Sequence, residues 1–139
     1  MAELAGGVTC LWLGMVLGIS FLEAPLKFRA PGVTVPLGLG IGRIVFRALN
    51  RAEVALAILV AAGVALTDVR WPVYLAGAVA AVVLVVQLAV VRPPLNRRSD
   101  RVLAGEDVPR SRAHLVYVVL EAVKVLALVA LGGLLLTGG

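Results

Sequence analysis

The last apolar run of the sequence carries the side chains best suited to chemistry. His114, Tyr117, Glu121 and Lys124 are separated by three, four and three positions, which places them on one face of an α-helix. At a rise of about 1.5 Å per residue, Glu121 and Lys124 lie on the order of 10 and 15 Å inside the helix end. An ion at that depth of a bilayer is disfavoured by at least about 3 kcal/mol. We therefore expect this stripe to face other helices or a watery cleft.

Other apolar runs carry polar residues at a matching depth, namely Ser20, Glu23, Arg47, Asn50, Glu53 and Gln87. The pattern predicts a polar cluster whose candidate ligand-binding residues are Glu23, Arg47, Asn50, Glu53, His114, Tyr117, Glu121 and Lys124.

Two interpretations of this cluster stay open. In one, Glu121 and Lys124 neutralise each other and only fix the register of the helices. In the other, the cluster lines a cleft that binds a small polar or amphipathic molecule or relays protons. In that cleft, Lys124 and the arginines would attract an anionic or polar group, while Glu53 and Glu121 would balance charge and carry protons.

Metal and cofactor sites are not predicted. Cys10 is the only cysteine and His114 the only histidine, which excludes an intramolecular disulfide and a multi-cysteine metal site. The glycine-rich stretch 38–43 has neither the spacing nor the preceding strand of a phosphate-binding loop. We attribute its glycines to flexibility at the start of a helix. Catalytic residues cannot be assigned, because no strong nucleophile or cofactor motif is present.

The elements that must position the cluster are membrane spans. The chain of 139 residues is 61% apolar and only 15% charged, which suits lipid better than water. Apolar runs predict spans at about 4–26, 43–67, 71–91 and 113–136, with loops at 27–42 and 92–112. A short surface helix or a loop is expected in the second of these. We predict a single transmembrane domain over 1–139, an all-α antiparallel bundle of four helices with both termini outside.

The basic residues set the predicted orientation. Of thirteen Lys and Arg, five lie between Lys27 and Arg51 and six between Arg92 and Arg112, and positively charged loops face the cytoplasm. We expect a multi-pass protein of the bacterial cytoplasmic (inner) membrane. The net charge of +5 is explained by these loops and not by nucleic acid. Expected partners are membrane lipids, including anionic headgroups, and a second copy of the chain or a larger membrane complex.

The order of features resembles an uncharacterised family of small four-span membrane proteins, which includes relatives of a eukaryotic transmembrane protein linked to platinum-drug resistance. The resemblance rests on Trp12 and Gly14, Ala24, Pro25 and Phe28, the stretch 43–46, Pro93 and His114. It covers nearly the whole chain and implies four spans. A more distant similarity to anthrone-oxygenase-like four-span proteins implies an enzyme, but transfers no site residue.

The leading prediction is binding or transport of a small polar or amphipathic molecule through a polar cleft in the cytoplasmic half of the bundle. One alternative is a structural or accessory subunit of a larger membrane complex. The other is a membrane enzyme that acts on a lipophilic substrate, for which the sequence offers less support.

Overall fold

The structure is a computed structural model that describes residues 1–109 and 112–137, and all regular secondary structure within these ranges is helical. Four helices are long and apolar enough to cross a membrane: Ala2–Lys27, Val35–Ala65, Trp71–Leu103 and Arg112–Thr137. We call them the first to fourth helices. The shortest have 26 residues, about 39 Å at 1.5 Å per residue, against an apolar bilayer core about 30 Å thick. For the described residues, the prediction of an all-helical chain with four helices long and apolar enough to span a membrane is confirmed.

The second helix begins earlier than the predicted span 43–67, inside the predicted loop 27–42. The Thr34 hydroxyl accepts a hydrogen bond from the Leu37 backbone N–H at 3.2 Å, and Pro36 occupies the first turn. Both residues favour a helix start. The glycines here also have a packing role, since a Cβ atom on Gly38 would collide with the ring of Phe28. Close contact with the first helix, and not flexibility, explains Gly38.

The third helix also departs from its predicted limits of 71–91, because it continues through Arg92, Pro93 and Pro94 to Leu103. The two prolines lie in the first turn of its last α-helical segment, Arg92–Leu103. Proline inside a continuous helix removes a backbone hydrogen bond, and here the two prolines directly follow the π-helical segment Gln87–Val91, where the regular α-helical bonding is already interrupted. A turn with Gly105 at a φ of +96° follows. The surface helix predicted after the third span is therefore an extension of that span.

Two helices change their winding where the polar residues lie. The first helix is α-helical over Ala2–Val16, π-helical over Leu17–Glu23 and α-helical again over Ala24–Lys27. The third is α-helical over Trp71–Val86 and π-helical over Gln87–Val91. A π-turn accommodates an extra residue and is frequent at functional sites.

The core is centred on the first and fourth helices. The second helix packs on the first and the third packs on the fourth, whereas the second and third make few direct contacts apart from the segment Arg92–Leu103. Trp12, Leu128 and Leu131 are nearly inaccessible. By contrast, Ile44 and Leu126 are 73% and 70% exposed, as expected of side chains that face lipid.

Candidate functional site

Lys124 lies at the centre of a buried ionic cluster. Its Nζ is 2.5 Å from Glu53 Oε1 and 2.6 Å from Glu121 Oε1. The Lys124 and Glu53 side chains are fully buried, and that of Glu121 is 2% exposed. Two carboxylates therefore hold one ammonium group between the second and fourth helices, at a depth where an isolated ion would be unfavourable.

Neutral donors and acceptors complete two sides of this cluster. Trp12 Nε1 donates to Glu53 Oε1 at 3.0 Å. Lys124 donates to Gln87 Oε1 at 2.8 Å, and Gln87 Nε2 lies 3.5 Å from Glu121 Oε1. Each of the four helices thus supplies at least one member, which ties the packing of the bundle to the ionic cluster.

The π-helical segments bear the polar residues that reach the cluster from the first and third helices. Ser20, within Leu17–Glu23, donates to Glu121 Oε2 at 2.8 Å. Gln87 is the first residue of Gln87–Val91. Because a π-turn changes the angular position of the residues that follow its start, the altered winding contributes to the inward direction of Ser20, whereas Gln87 lies where the third helix changes its winding.

The cluster carries more negative than positive charge. With all three groups ionised, two carboxylates and one ammonium sum to a single negative charge. Glu53 Oε2 is buried and has no hydrogen-bond partner among the described residues. A buried carboxylate oxygen without a donor is unfavourable. The contacts of the described residues therefore do not fully balance the negative charge of the cluster.

A cavity of about 1020 Å³ lies beside the cluster, with Glu121 in its wall. Its walls come from the end of the first helix, the beginning of the second, the last part of the third and the beginning of the fourth. Glu121 is the single acidic residue among its lining residues. The basic lining residues are Lys27, Arg43, Arg47, Arg51, Arg92 and Arg98. The cavity therefore attracts anions.

Aromatic rings hold two of these cations inside the cavity. Arg92 Cζ lies 5.2 Å from the ring centroid of Phe46 and 4.6 Å from that of Tyr117. Lys27 Nζ lies 5.8 Å from the Phe46 centroid. The two rings meet edge to face at 6.1 Å. Cation–π attraction thus places both charges without consuming their hydrogen-bond donors.

The donors of Arg92 and Tyr117 have no acceptor. Arg92 Nε and Nη2 and the Tyr117 hydroxyl are buried and make no hydrogen bond within the described part of the chain. Tyr117 is 8% exposed. Buried polar groups are normally paired, so these three donor atoms remain available to an acceptor oxygen.

Two of the arginines that line the cavity already have partners within the protein. Arg43 pairs with Asp100, and Arg98 Nε donates to the carbonyls of Val108 and Pro109 at 3.2 and 3.1 Å. Arg47 and Arg51, in contrast, are exposed at the rim.

The predicted site residues fall into three groups. Glu53, Glu121 and Lys124 form the ionic cluster. The lining of the cavity includes Arg47, Asn50, His114, Tyr117 and Glu121. Glu23 belongs to neither group, and its Oε2 lies 3.9 Å from Lys27 Nζ. The structure thus divides the predicted cluster into a closed ionic part and an open basic part that meet at Glu121.

Three important residues were not among the predicted site residues. Trp12 belongs to an apolar run, and its hydrogen bond to Glu53 has no signature in the sequence. Arg92 stands before two prolines, and the sequence pattern predicts that the third span ends just before it. Lys27, which flanks Phe46, was assigned to a loop. The high density of cations at both ends of the spans was the available signal for the last two.

In the ranges 1–109 and 112–137, the structure shows no group of three or more His, Cys, Asp or Glu residues that could hold a metal ion. No protein-family model, curated protein or solved structure matches the chain. The function of the chain is therefore inferred from the positions and chemistry of its own residues.

Proposed function

We propose that this protein binds an anionic amphipathic molecule in its basic cavity, as a receptor for that molecule or as the binding step of its transport. The observation that carries the proposal is that Arg92 and Tyr117, two residues that line the cavity, have buried donor atoms without an acceptor among the described residues. An oxyanion would supply those acceptors.

The charge of the cavity supports an anionic headgroup. Six basic residues and one acidic residue line the cavity. Arg92 presents a planar guanidinium group, which suits carboxylate, phosphate or sulfonate oxygens better than an ammonium group does. These headgroups share the chemistry of several acceptor oxygens and at least one negative charge.

The size and walls of the cavity support an apolar tail on the same molecule. Its volume of about 1020 Å³ lies at the upper end of the range typical of ligand sites, roughly 300–1,000 Å³. Phe21, Leu88 and Val118 contribute apolar surface. Phe21 also borders a second, wholly apolar groove with Leu17 and Leu126.

We further propose an antiparallel bundle in a bacterial inner membrane, with both termini outside and the cavity on the cytoplasmic side. The ends of the first and third helices and the beginnings of the second and fourth line one cavity, an order that supports an up-and-down arrangement. Most cations lie on that side, as cytoplasmic ends require. The resemblance to the four-span family remains part of this proposal.

Cysteine labelling tests this orientation. In a Cys10→Ser background, Asp68→Cys should react with a membrane-impermeant maleimide on intact spheroplasts, whereas Arg97→Cys should react only after lysis. The opposite pattern would place the cavity on the outer side of the membrane.

A binding experiment tests the proposed function. The protein is reconstituted in nanodiscs of zwitterionic lipid and titrated with decyl sulfonate, with neutral decyl maltoside as the comparison ligand. Saturable binding is expected for the sulfonate alone. Arg92→Gln removes a charged donor and should weaken binding by about tenfold or more, because a hydrogen bond to a charged group contributes roughly 1.5–3 kcal/mol.

Arg97→Gln is the matched control. Arg97 is exposed on the same helical segment and is not among the residues that line the cavity, so its substitution removes the same charge outside the site. Equal losses of sulfonate affinity in both variants would show that the effect comes from general surface charge and not from the cavity. Absence of saturable sulfonate binding to the wild type would refute the proposal. Competition by inorganic sulfate distinguishes a site for free anions from one that requires the alkyl chain.

A second candidate function is that of an accessory subunit in a larger membrane complex. The ionic cluster supports it, because its contacts connect all four helices without any ligand, as a purely structural role requires. Mild solubilisation of native membranes followed by affinity purification tests this candidate, and a chain recovered without stoichiometric partners would contradict it.

A further inference from the structure

The buried cluster and the basic cavity meet at a single carboxylate, and that contact has a consequence for charge. Glu121 Oε1 contacts Lys124 inside the cluster, while Glu121 is also part of the cavity wall. An anion bound at Arg92 and Tyr117 would thus add negative charge next to a cluster that already carries one negative charge in excess. At short range and low dielectric, such repulsion is large.

The charged and titratable groups around the cluster are few. The fourth helix contributes Lys124, Glu121 and Tyr117, and the second contributes Glu53. The third contributes Arg92, whose guanidinium lies over the Tyr117 ring. The contacts from the first helix come from neutral groups, the Trp12 indole and the Ser20 hydroxyl.

Addition of a proton to a carboxylate of the cluster would balance its excess negative charge better than binding of a metal cation would. Glu53 is 0% exposed and is not among the residues that line the cavity. Its Oε2 is buried without a donor. A cation would need several oxygen ligands and space for itself. A proton needs neither, and its addition turns an unpaired charged oxygen into a neutral hydroxyl.

We propose that the Glu53–Lys124–Glu121 cluster is a proton-binding site linked to the cavity, so that binding of one anion is accompanied by uptake of one proton. This inference rests on the proposed function of the cavity. The proton comes from the acid form of the buffer through the water that reaches the cavity: the donor's bond to hydrogen breaks, its conjugate base stays in solution, and an O–H bond forms on a carboxylate oxygen of Glu121 or Glu53. The net charge of the loaded protein equals that of the empty protein.

Proton uptake can be measured by calorimetry. Decyl sulfonate, which remains a monoanion, is titrated into the nanodisc-reconstituted protein at one pH in buffers of different ionisation enthalpy. The dependence of the observed heat on buffer gives the number of protons bound. About one proton per sulfonate is expected for the wild type. Glu53→Gln removes the excess negative charge and should lower this number to near zero while sulfonate binding persists.

Infrared spectroscopy locates the proton. The difference spectrum between sulfonate-bound and sulfonate-free wild type should gain the C=O stretch of a protonated carboxylic acid, and Glu53→Gln should abolish that gain. Glu106→Gln serves as a control, because Glu106 is exposed and paired with Arg101. If Glu53→Gln fails to fold, Glu121→Gln removes the same charge and should give the same loss.

The outcomes separate the two proposals. Sulfonate binding without proton uptake, or uptake that persists in both variants of the cluster, overturns the proton site and leaves the anion site intact. Absence of sulfonate binding overturns the anion site and, with it, the linkage.

Discussion

Substitution of Lys124 by Met removes the single cation from the buried cluster. The change keeps much of the side chain's volume but leaves Glu53 and Glu121, both within 2.6 Å of the lost nitrogen, as adjacent carboxylates in an apolar interior. Loss of one partner from a buried ion pair typically costs about 3–5 kcal/mol. Gln87 Oε1 also loses its donor. We therefore expect the free energy of unfolding to fall by at least about 3 kcal/mol.

The assay is reversible unfolding in mixed micelles with increasing dodecyl sulfate, followed by circular dichroism. Lys27→Met is the matched control, since Lys27 has a more distant partner at 3.9 Å and a side chain that is 10% exposed. The fall in the free energy of unfolding should be smaller than for Lys124→Met, because Glu23 is 36% exposed and a partly solvated carboxylate is less destabilised by the loss of its partner than a buried one. A double variant with Glu53→Gln should lose less than the sum of the single losses, by roughly 0.5–3 kcal/mol. A Lys124→Met protein as stable as the Lys27→Met protein, or strictly additive losses, would show that the two buried ion pairs of Lys124 do not stabilise the bundle.

Three further predictions follow from the same contacts. Trp12→Phe keeps an aromatic side chain but removes the hydrogen bond to the buried carboxylate and part of the buried volume, so the free energy of unfolding in the same assay should fall by at least about 1.5 kcal/mol; an unchanged value would contradict this role. Gly38→Val should displace the ring of Phe28 and lower the melting temperature in detergent, since a Cβ atom at this position already collides. The combined change of Arg47 and Arg51 to Gln should weaken sulfonate binding mainly at low ionic strength, because these exposed charges are screened by salt. The loss of affinity in Arg92→Gln should persist at high salt. Sulfonate titrations at increasing sodium chloride concentration distinguish the two effects.

Much of the fold could be predicted because lipid imposes simple rules. Long apolar runs gave four spans, and the spacing from His114 to Lys124 indicated one helical face. The predicted depth of Glu53 in its span matches that of Glu121 and Lys124, and the three side chains are in contact in the structure. Each of these inferences uses only rise per residue, periodicity and the cost of an ion in hydrocarbon, and all three can be read from a sequence.

The rest depended on features without a local signature. A π-helical segment is not marked by composition, so the inward direction of Ser20 could not be derived from helical periodicity. Pro93 indicates the end of a helix when read alone, but the third helix continues through it after the π-helical segment Gln87–Val91. The end of the third helix was therefore predicted too early. The beginning of the second helix was predicted too late, because the glycines of 38–43 indicated a flexible helix start. Arg92 was assigned to a loop and the cavity was predicted without it.

The π-helical segment of the first helix also determines which changes of chain length the protein can accept. Deletion of one residue within Leu17–Glu23 would leave a helix still long enough to span a bilayer, so hydrophobic length alone predicts tolerance. The loss of one residue at 17–19 would return the wide turns to α-helical winding, so the later part of the helix would keep nearly its present direction relative to the earlier part. Addition of one residue at 13–16 would instead turn the later part by about 100°, and Trp12 could then remain on Glu53 only if Ser20 left Glu121. Single-residue deletions at 17–19 should therefore preserve the cavity wall, whereas insertions at 13–16 should leave membrane insertion intact and disrupt that wall.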